Sequence, residues 1–370
     1  MNFALSHQVV HVIRSQTIGG SIISSLRLAQ AEQSMKRKPE VWVWLKKQHQ
    51  EMDQLAKQYK IPIQTITPMT LGFKLIGTRF ISSAPEIINL QSGLGRLSSN
   101  LALMRRLISP RTALVVTLRG PSHYEPYKDP KWQQEQLAYS RFVSAIIVPS
   151  EMERQVRIQA GIPREKVFAV PNIMDSQSFQ SGWLRNHLSL SSDRPIVLFC
   201  GRFTWRKSPI QTIEAFKSVI AQYPKAVLVM AGDGELMPQC HKAARDLSKA
   251  IYFLGHVSNV NHLYADADVF IGPSTAESFG RIAMEAALSK TPMVLGQIRP
   301  WTDYFQANKD CQFVDPQDSQ SIAQGIIQLL DNPQRSRQLA KNAFTVVQAN
   351  FGEDGVMNAL SKAYEYALAV

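Results

Sequence analysis

Residues 269–285 read Val-Phe-Ile-Gly-Pro-Ser-Thr-Ala-Glu-Ser-Phe-Gly-Arg-Ile-Ala-Met-Glu. The apolar run Val269–Ile271 stops at Gly272 and Pro273, a pair that marks a turn. A helix-forming stretch begins around Gly280. Strand, turn and helix in that order form the repeating half of a parallel βαβ arrangement. Two glutamates, Glu277 and Glu285, stand eight residues apart across the helix start. Glu277 is expected in the loop facing a ligand and Glu285 about one turn into the helix. Phe279 and Gly280 lie near the helix N-terminus, where unpaired backbone N–H groups favour anions. A carboxylate accepts two hydrogen bonds at once and so suits a vicinal diol on a sugar or ribose. An ordinary helix with acidic residues at its positive end would show the same spacing. The preceding strand, Pro273-Ser274 and the enclosed Phe279-Gly280 favour the functional reading.

The same alternation runs outward in both directions. Toward the C-terminus, strands are expected at Met293–Leu295 and Gln312–Val314, with a helix at Ser319–Leu330. Upstream, strands are expected at Ile196–Cys200, Ala226–Ala231 and Ile251–Leu254, with helices at Pro209–Gln222 and Glu235–Ala250. The first half keeps this rhythm, with strands at Val9–Ile13, Val41–Leu45, Glu86–Leu90, Ala113–Leu118, Ala145–Val148 and Val167–Val170. Its helices are expected at Ser21–Met35, Gln48–Tyr59, Leu97–Leu107 and Glu151–Ala160. Strands alternating with helices predict parallel sheets covered on both faces. The chain has 370 residues, a length that suits two domains of about 100–200 residues each. Apolar periodicity lapses at Ser181–Arg194. The expected architecture is α/β, two Rossmann-like domains at 1–185 and 190–350 facing each other across a cleft. The last helices, 351–370, are expected to pack back on the first domain. In such sheets ligands bind beyond the carboxyl ends of the strands.

Three more turns sit at strand ends. Gly201-Arg-Phe-Thr-Trp-Arg-Lys207 follows Ile196–Cys200. Arg202 and Lys207 flank that turn, and two cations there suit a diphosphate, Arg through its planar fork and Lys as a point charge. A solvated basic turn explains the same residues equally well. Gly232-Asp-Gly234 follows Ala226–Ala231, and its glycines permit close approach of backbone to a ligand. Gly19-Gly20 opens the first helix without forming G-x-G-x-x-G, so no dinucleotide fingerprint is present. Asp266-Ala-Asp268 reads as a capping pair rather than a metal motif. His7, His11 and His49 show no metal spacing, and there is no Walker loop or G-x-S-x-G elbow.

Composition narrows the classes further. The chain carries 41 basic and 29 acidic side chains, a net charge of +12. Residues 1–190 hold 24 basic and 12 acidic side chains, and residues 191–370 hold 17 of each. The whole excess therefore sits in the first half, which points to different partners for the two halves. Hydrophobic residues make up 45%, which excludes global disorder. Cys200, Cys240 and Cys311 are too few and too scattered for a disulfide framework or a zinc site. A reducing, cytoplasmic setting is expected, with no signal peptide and no apolar stretch long enough to span a membrane. Met69–Ile81 mixes Leu71, Phe73 and Phe80 with Lys74 and Arg79. It suits either an amphipathic surface segment or a helix packed on the sheet.

Together these motifs resemble glycosyltransferase family 4, retaining enzymes of the GT-B fold that use nucleotide-sugar donors. The resemblance covers roughly 145–350. It rests on Gly201–Lys207, Gly232–Gly234, Phe253-Leu254-Gly255, Ala267-Asp268-Val269-Phe270, Pro273-Ser274, Glu277 and Glu285. Val148-Pro-Ser150 and Val170-Pro-Asn172 support it. The resemblance implies that Arg202 and Lys207 bind the donor diphosphate and that Glu285 holds the ribose hydroxyls. It places Glu277 and the Phe279-Gly280 backbone near the transferred sugar, and makes Gly19 and Gly20 the loop that closes over the donor.

Three departures stand out: Arg119-Gly120 replaces the usual His-Gly, Ser208 follows Lys207 where Gly is common, and Gly296–Tyr304 lacks paired glycines. Arg119 thus becomes a candidate contact for an anionic substrate. The expected activity is metal-independent, retaining hexosyl transfer with no cofactor and a UDP- or GDP-sugar as donor. Acceptors would be anionic glycans or lipid-linked sugars of cell-surface polysaccharide or lipopolysaccharide synthesis. The basic half would give peripheral contact with an anionic membrane. A sugar-nucleotide epimerase of the same fold is the alternative. A basic nucleic-acid-binding protein ranks lower, because no helix-turn-helix, RNP or zinc signature is present.

Overall fold

The computed structural model describes residues 8–14, 20–35, 37–44, 50–66, 86–91, 112–120, 129–174, 179–257 and 259–370. Gly19, Met69–Ile81 and the expected helix at Leu97–Leu107 lie outside these residues. The chain divides into two compact units, Met1–Ile173 with Glu353–Val370, and Met174–Gly352.

Among the described residues the first unit holds a seven-stranded sheet. Its strands are β1 (Gln8–Arg14), β2 (Lys38–Trp44), β3 (Ile63–Ile66), β4 (Ile87–Gln91), β5 (Ala113–Thr117), β6 (Ala145–Val148) and β7 (Val167–Ala169). The order is β3-β2-β1-β4-β5-β6-β7, and every neighbouring pair is parallel. β4, β5 and β6 are buried at each position, as strands covered on both faces must be. β3 was not legible in the sequence, because its middle residues Gln64 and Thr65 are exposed at the sheet edge. Helix Glu353–Ala369 lays Val356, Leu360, Ala363 and Tyr364 against Val9, Ile87, Val115 and Ile147.

The second unit continues with β8 (Ile196–Cys200), β9 (Val227–Ala231), β10 (Ile251–Gly255), β11 (Val269–Gly272), β12 (Met293–Gly296) and β13 (Gln312–Val314). Their order is β10-β9-β8-β11-β12-β13, again parallel throughout. Strand order reverses between β1 and β4 in the first sheet and between β8 and β11 in the second. Such reversals open a crevice at the carboxyl ends of the strands, where α/β proteins hold ligands. Helix Met237–Ala243 is shorter than the expected Glu235–Ala250. Beyond it the i→i+3 bonds Leu247 N to Ala244 O and Ala250 N to Leu247 O tighten the chain so that it enters β10.

The units change at Met174, earlier than the expected boundary at 185–190. Leu184 and Leu190 are the reason, since both are buried in the second unit's core with Met174. Asp266 secures this segment. Its carboxylate accepts from the N–H groups of Gly182 (2.5 Å), Leu184 (2.7 Å) and Arg185 (3.3 Å), at the start of helix Trp183–His187. Asp268 accepts from the N–H of Ile196 at 2.8 Å. The D-x-D pair is therefore structural. Asp266→Ala strands three backbone donors, and its expected cost is about 2–4 kcal/mol. Thermal unfolding should fall by about 5–10 °C; a shift of about 1 °C would mean that water replaces the carboxylate.

Candidate active site

The side chains singled out in the second half converge on the β8/β11 reversal. Gly201 and Arg202 leave the end of β8, and the chain turns through a short 3-10 segment, Trp205–Lys207. From β11 it passes through the loop carrying Ser274 and Glu277 into helix Arg281–Leu288. The two loops are tied together, because Thr275 N donates to Arg206 O at 2.8 Å. That tie places Lys207 beside Glu277, 70 residues away in sequence, and Lys207 Nζ pairs with Glu277 Oε1. Ser274 Oγ donates to the same oxygen at 3.0 Å. The two charged side chains are 18% and 14% exposed, so the pair stands at the surface of the crevice rather than inside the core. Arg202 is exposed on the same turn.

Gly280 has φ +76° and caps helix Arg281–Leu288. A Cβ there would lie 1.8 Å from Trp301 Nε1, so the buried indole and the left-handed backbone both require glycine. The Phe279 ring points into the core, edge-on to Phe351 at 5.3 Å between centroids. Only its backbone is left to meet a ligand, together with the first unpaired N–H groups of the helix. Glu285 lies one turn in. Arg281 Nε donates to its Oε1 at 2.6 Å, and Tyr264 OH donates to its Oε2 at 3.3 Å. Burial, followed by the charge on Glu285, pushes the Cys200 thiol up to about 12. Cys200 is therefore a neutral packing group and not a nucleophile.

Gly232 has φ +131°, and a Cβ on it would stand 1.9 Å from Gly201 O. The close backbone approach expected of a ligand is thus made by the β8 turn. Gly234 approaches Phe203 O in the same way, at 2.5 Å from its would-be Cβ. The Gly-Asp-Gly turn supports the turn that carries Arg202 and Lys207. Ser208 adopts φ +50°, a left-handed conformation that explains why glycine suits that position.

Among the described residues, two predicted site residues belong to the first unit. Gly20 opens helix Gly20–Ser34 after β1. Arg119 follows β5, with Nε donating to Gln91 Oε1 at 3.0 Å and Nη1 to Asn172 Oδ1 at 2.5 Å. Sequence reasoning missed Ser274 as a partner of Glu277, Arg281 and Tyr264 as partners of Glu285, and Trp301 as the wall behind Gly280. Arg281 at i−4 from Glu285 was legible as a helical ion pair. The others come from distant elements and left no local signal. In the segment that lacks paired glycines, Asp303 pairs with Arg299 at 2.7 Å. Among the described residues no group of three or more His, Cys, Asp or Glu is placed to hold a metal ion. No helix there is long and apolar enough to cross a membrane.

Residues 184–346 match the family "Glycosyl transferases group 1". An uncharacterized glycosyltransferase of Methanocaldococcus jannaschii is 25% identical over 245 residues, covering 63% of each chain. The lipopolysaccharide core biosynthesis glycosyltransferase LpsE of Rhizobium meliloti is 30% identical over 178 residues, covering 47% of this chain and 51% of that protein. The chain thus spans between 51% and 63% of the length of these two relatives. Among solved structures, Anabaena HepE in complex with UDP-glucose superposes with a TM-score of 0.80 at 21% identity, covering 98% of this chain and 100% of that one.

Proposed function

We propose that the chain is a glycosyltransferase that transfers a sugar from a nucleotide-diphosphate donor with retention of configuration; the match of residues 184–346 to the group 1 glycosyltransferases and the GT-B fold support this reading. The observation that carries this reading is the Lys207–Glu277 pair at the β8/β11 reversal, with Glu285 one turn into the adjoining helix. Arg202 and Lys207 take the donor diphosphate, and Glu285 takes the ribose diol. Glu277 and the Phe279-Gly280 backbone meet the transferred sugar. In the resting protein Glu277 neutralises Lys207; an incoming diphosphate competes for that ammonium and leaves the carboxylate to the sugar. HepE, solved with UDP-glucose, supports a nucleotide-sugar donor, with UDP and GDP as the candidate bases.

The chemistry follows from these roles. The bond from the anomeric carbon to the diphosphate oxygen breaks as the acceptor oxygen attacks from the same face. The acceptor proton passes to the leaving phosphate oxygen, so no strong protein base is needed. Catalysis rests on stabilising the charge that grows on the leaving group. Cationic side chains perform that task, and no metal or further cofactor is required. The acceptor is a glycan or lipid-linked sugar, and LpsE supports lipopolysaccharide or related surface-glycan synthesis. The basic first half gives the protein a peripheral place at an anionic cytoplasmic membrane face.

A thermal-shift screen with UDP-, GDP- and ADP-sugars tests the donor. At about 100 times Kd the matching donor should raise Tm by about 5–10 °C, and turnover should persist in EDTA. Indifference to every nucleotide sugar would remove the reading. Epimerised donor, seen by NMR without acceptor, would replace it with the epimerase.

A further inference from the structure

The carboxylate of Glu285 is held by two elements of the second unit. Its own helix, Arg281–Leu288, supplies Arg281, whose Nε donates to Oε1 at 2.6 Å. Helix Asn261–Asp266 supplies Tyr264, whose hydroxyl donates to Oε2 at 3.3 Å. Each oxygen of an ionised carboxylate offers two acceptor sites. The contacts described fill one site on each oxygen and leave one on each. That remainder matches two hydroxyls on adjacent carbons, one for each oxygen.

The two anchors differ in stiffness. Arg281 and Glu285 lie four residues apart on one helix and are 22% and 13% exposed. A long side chain that reaches solvent constrains its partner loosely. Tyr264 is wholly inaccessible to solvent, and its ring stands edge-on to Phe270 at 5.4 Å between centroids. Its carbonyl accepts from Thr291 Oγ1 at 2.8 Å. Thr291 N in turn donates to Ala286 O at 3.0 Å, next in the chain to Glu285. The backbone of Tyr264 is therefore tied to the helix that carries Glu285, whether or not the carboxylate is in place. Burial pushes the phenol well above its usual range, so the hydroxyl stays a neutral donor. The cost of burying that hydroxyl is offset by Glu285 and by the Cys200 thiol beside it.

We infer that Tyr264 is a positioning residue for nucleotide recognition: its hydroxyl sets the Glu285 carboxylate so that the two open acceptor sites meet a vicinal diol, and it thereby carries a preference for ribose over deoxyribose. The inference deepens the donor reading above and rests on its assignment of Glu285 to the ribose. Arg281 supplies charge to the same carboxylate, and Tyr264 supplies direction.

Calorimetry on the full chain tests this, with UDP and GDP each set against its 2′-deoxy counterpart. The unaltered protein should bind its ribonucleotide about 10–100-fold more tightly than the deoxy form. Tyr264→Phe removes one oxygen and keeps the ring. It should weaken the ribonucleotide about 3–10-fold and the deoxynucleotide less than about 2-fold, so that the preference itself falls. Loss of packing alone would weaken both forms alike. Turnover at saturating donor should change by less than about 2-fold while KM rises, because the ribose is held equally before and during transfer. In a Glu285→Ala background, adding Tyr264→Phe should alter the binding of either form by less than about 2-fold. An unchanged preference in Tyr264→Phe, or a full further loss in the Glu285→Ala background, overturns the inference. So does an unaltered protein that binds nucleotide without preferring ribose. Binding of neither UDP nor GDP removes the donor reading itself, and the inference falls with it.

Discussion

Lys207→Met is expected to lower turnover by about 10²–10³-fold while the protein stays folded. Methionine keeps most of the side-chain length, so the turn Trp205–Lys207 retains its packing and loses the ammonium. If the ammonium stabilises charge that develops on the leaving diphosphate, its loss appears mainly in kcat. The variant also strands Glu277, which keeps only the Ser274 hydroxyl from the contacts described. A partly exposed carboxylate left this way costs about 1–3 kcal/mol, so Tm must be measured alongside turnover. The double variant Lys207→Met with Glu277→Gln removes the stranded charge. Tm should recover in it and turnover should not. Near-wild-type turnover in Lys207→Met would show that the leaving group is stabilised elsewhere, and recovery of turnover in the double variant would show that the single substitution acted through folding.

Gly232→Ala should be as damaging without touching any charged group. Its Cβ would stand 1.9 Å from Gly201 O and 2.8 Å from Gly201 C. Neither backbone can step aside freely, because Gly232 N donates to Gly255 O at 2.7 Å and Gly201 N donates to Ala231 O at 2.9 Å. Positive φ adds strain to the overlap. The expected loss is about 3–5 kcal/mol. Since Gly201 begins the turn that carries Arg202 and Lys207, a shift of about 1 Å there should also cost about 10²-fold in rate. Gly255→Ala provides the comparison. Gly255 has φ +65° with nothing within 4 Å of its would-be Cβ, so alanine there meets conformational strain alone, about 1–2 kcal/mol. Chemical denaturation of both variants decides the matter; equal losses would mean that backbone crossing at Gly232 contributes nothing beyond φ.

These expectations mark how far local pattern carried. Strands such as Ile196–Cys200 and Ala145–Val148 were legible because parallel strands covered on both faces are short, uninterrupted apolar runs. Their alternation with helices sufficed for two parallel sheets. β3 was passed over, since an edge strand needs only one partner and can expose Gln64 and Thr65. The segment 181–194 read as a linker because it carries few apolar residues. Leu184 and Leu190 nevertheless bury into the second unit once Asp266, from another helix, satisfies the local N–H groups.

The candidate site divides in the same way. Gly201–Lys207 and Glu277–Glu285 announced themselves through residue types at strand ends, because a glycine turn, a cation and a carboxylate each have local reasons to stand there. Which of them meet was not local. The pairing of Lys207 with Glu277 spans 70 residues and depends on strand order, which sets β8 beside β11 and lets Thr275 bond to Arg206. Gly232 looked like a ligand-side glycine and proved to be the crossing point of two backbones. His11, set aside for lack of metal spacing, joins Glu32, Gln91 and Tyr364 only after β1, β4 and the last helix pack together. Periodicity and residue type reach about one turn of chain in either direction, enough to specify elements and the chemistry at their ends. Hydrogen-bond partners and the orientation of Arg119 depend on side chains that only folding brings within about 3 Å of one another.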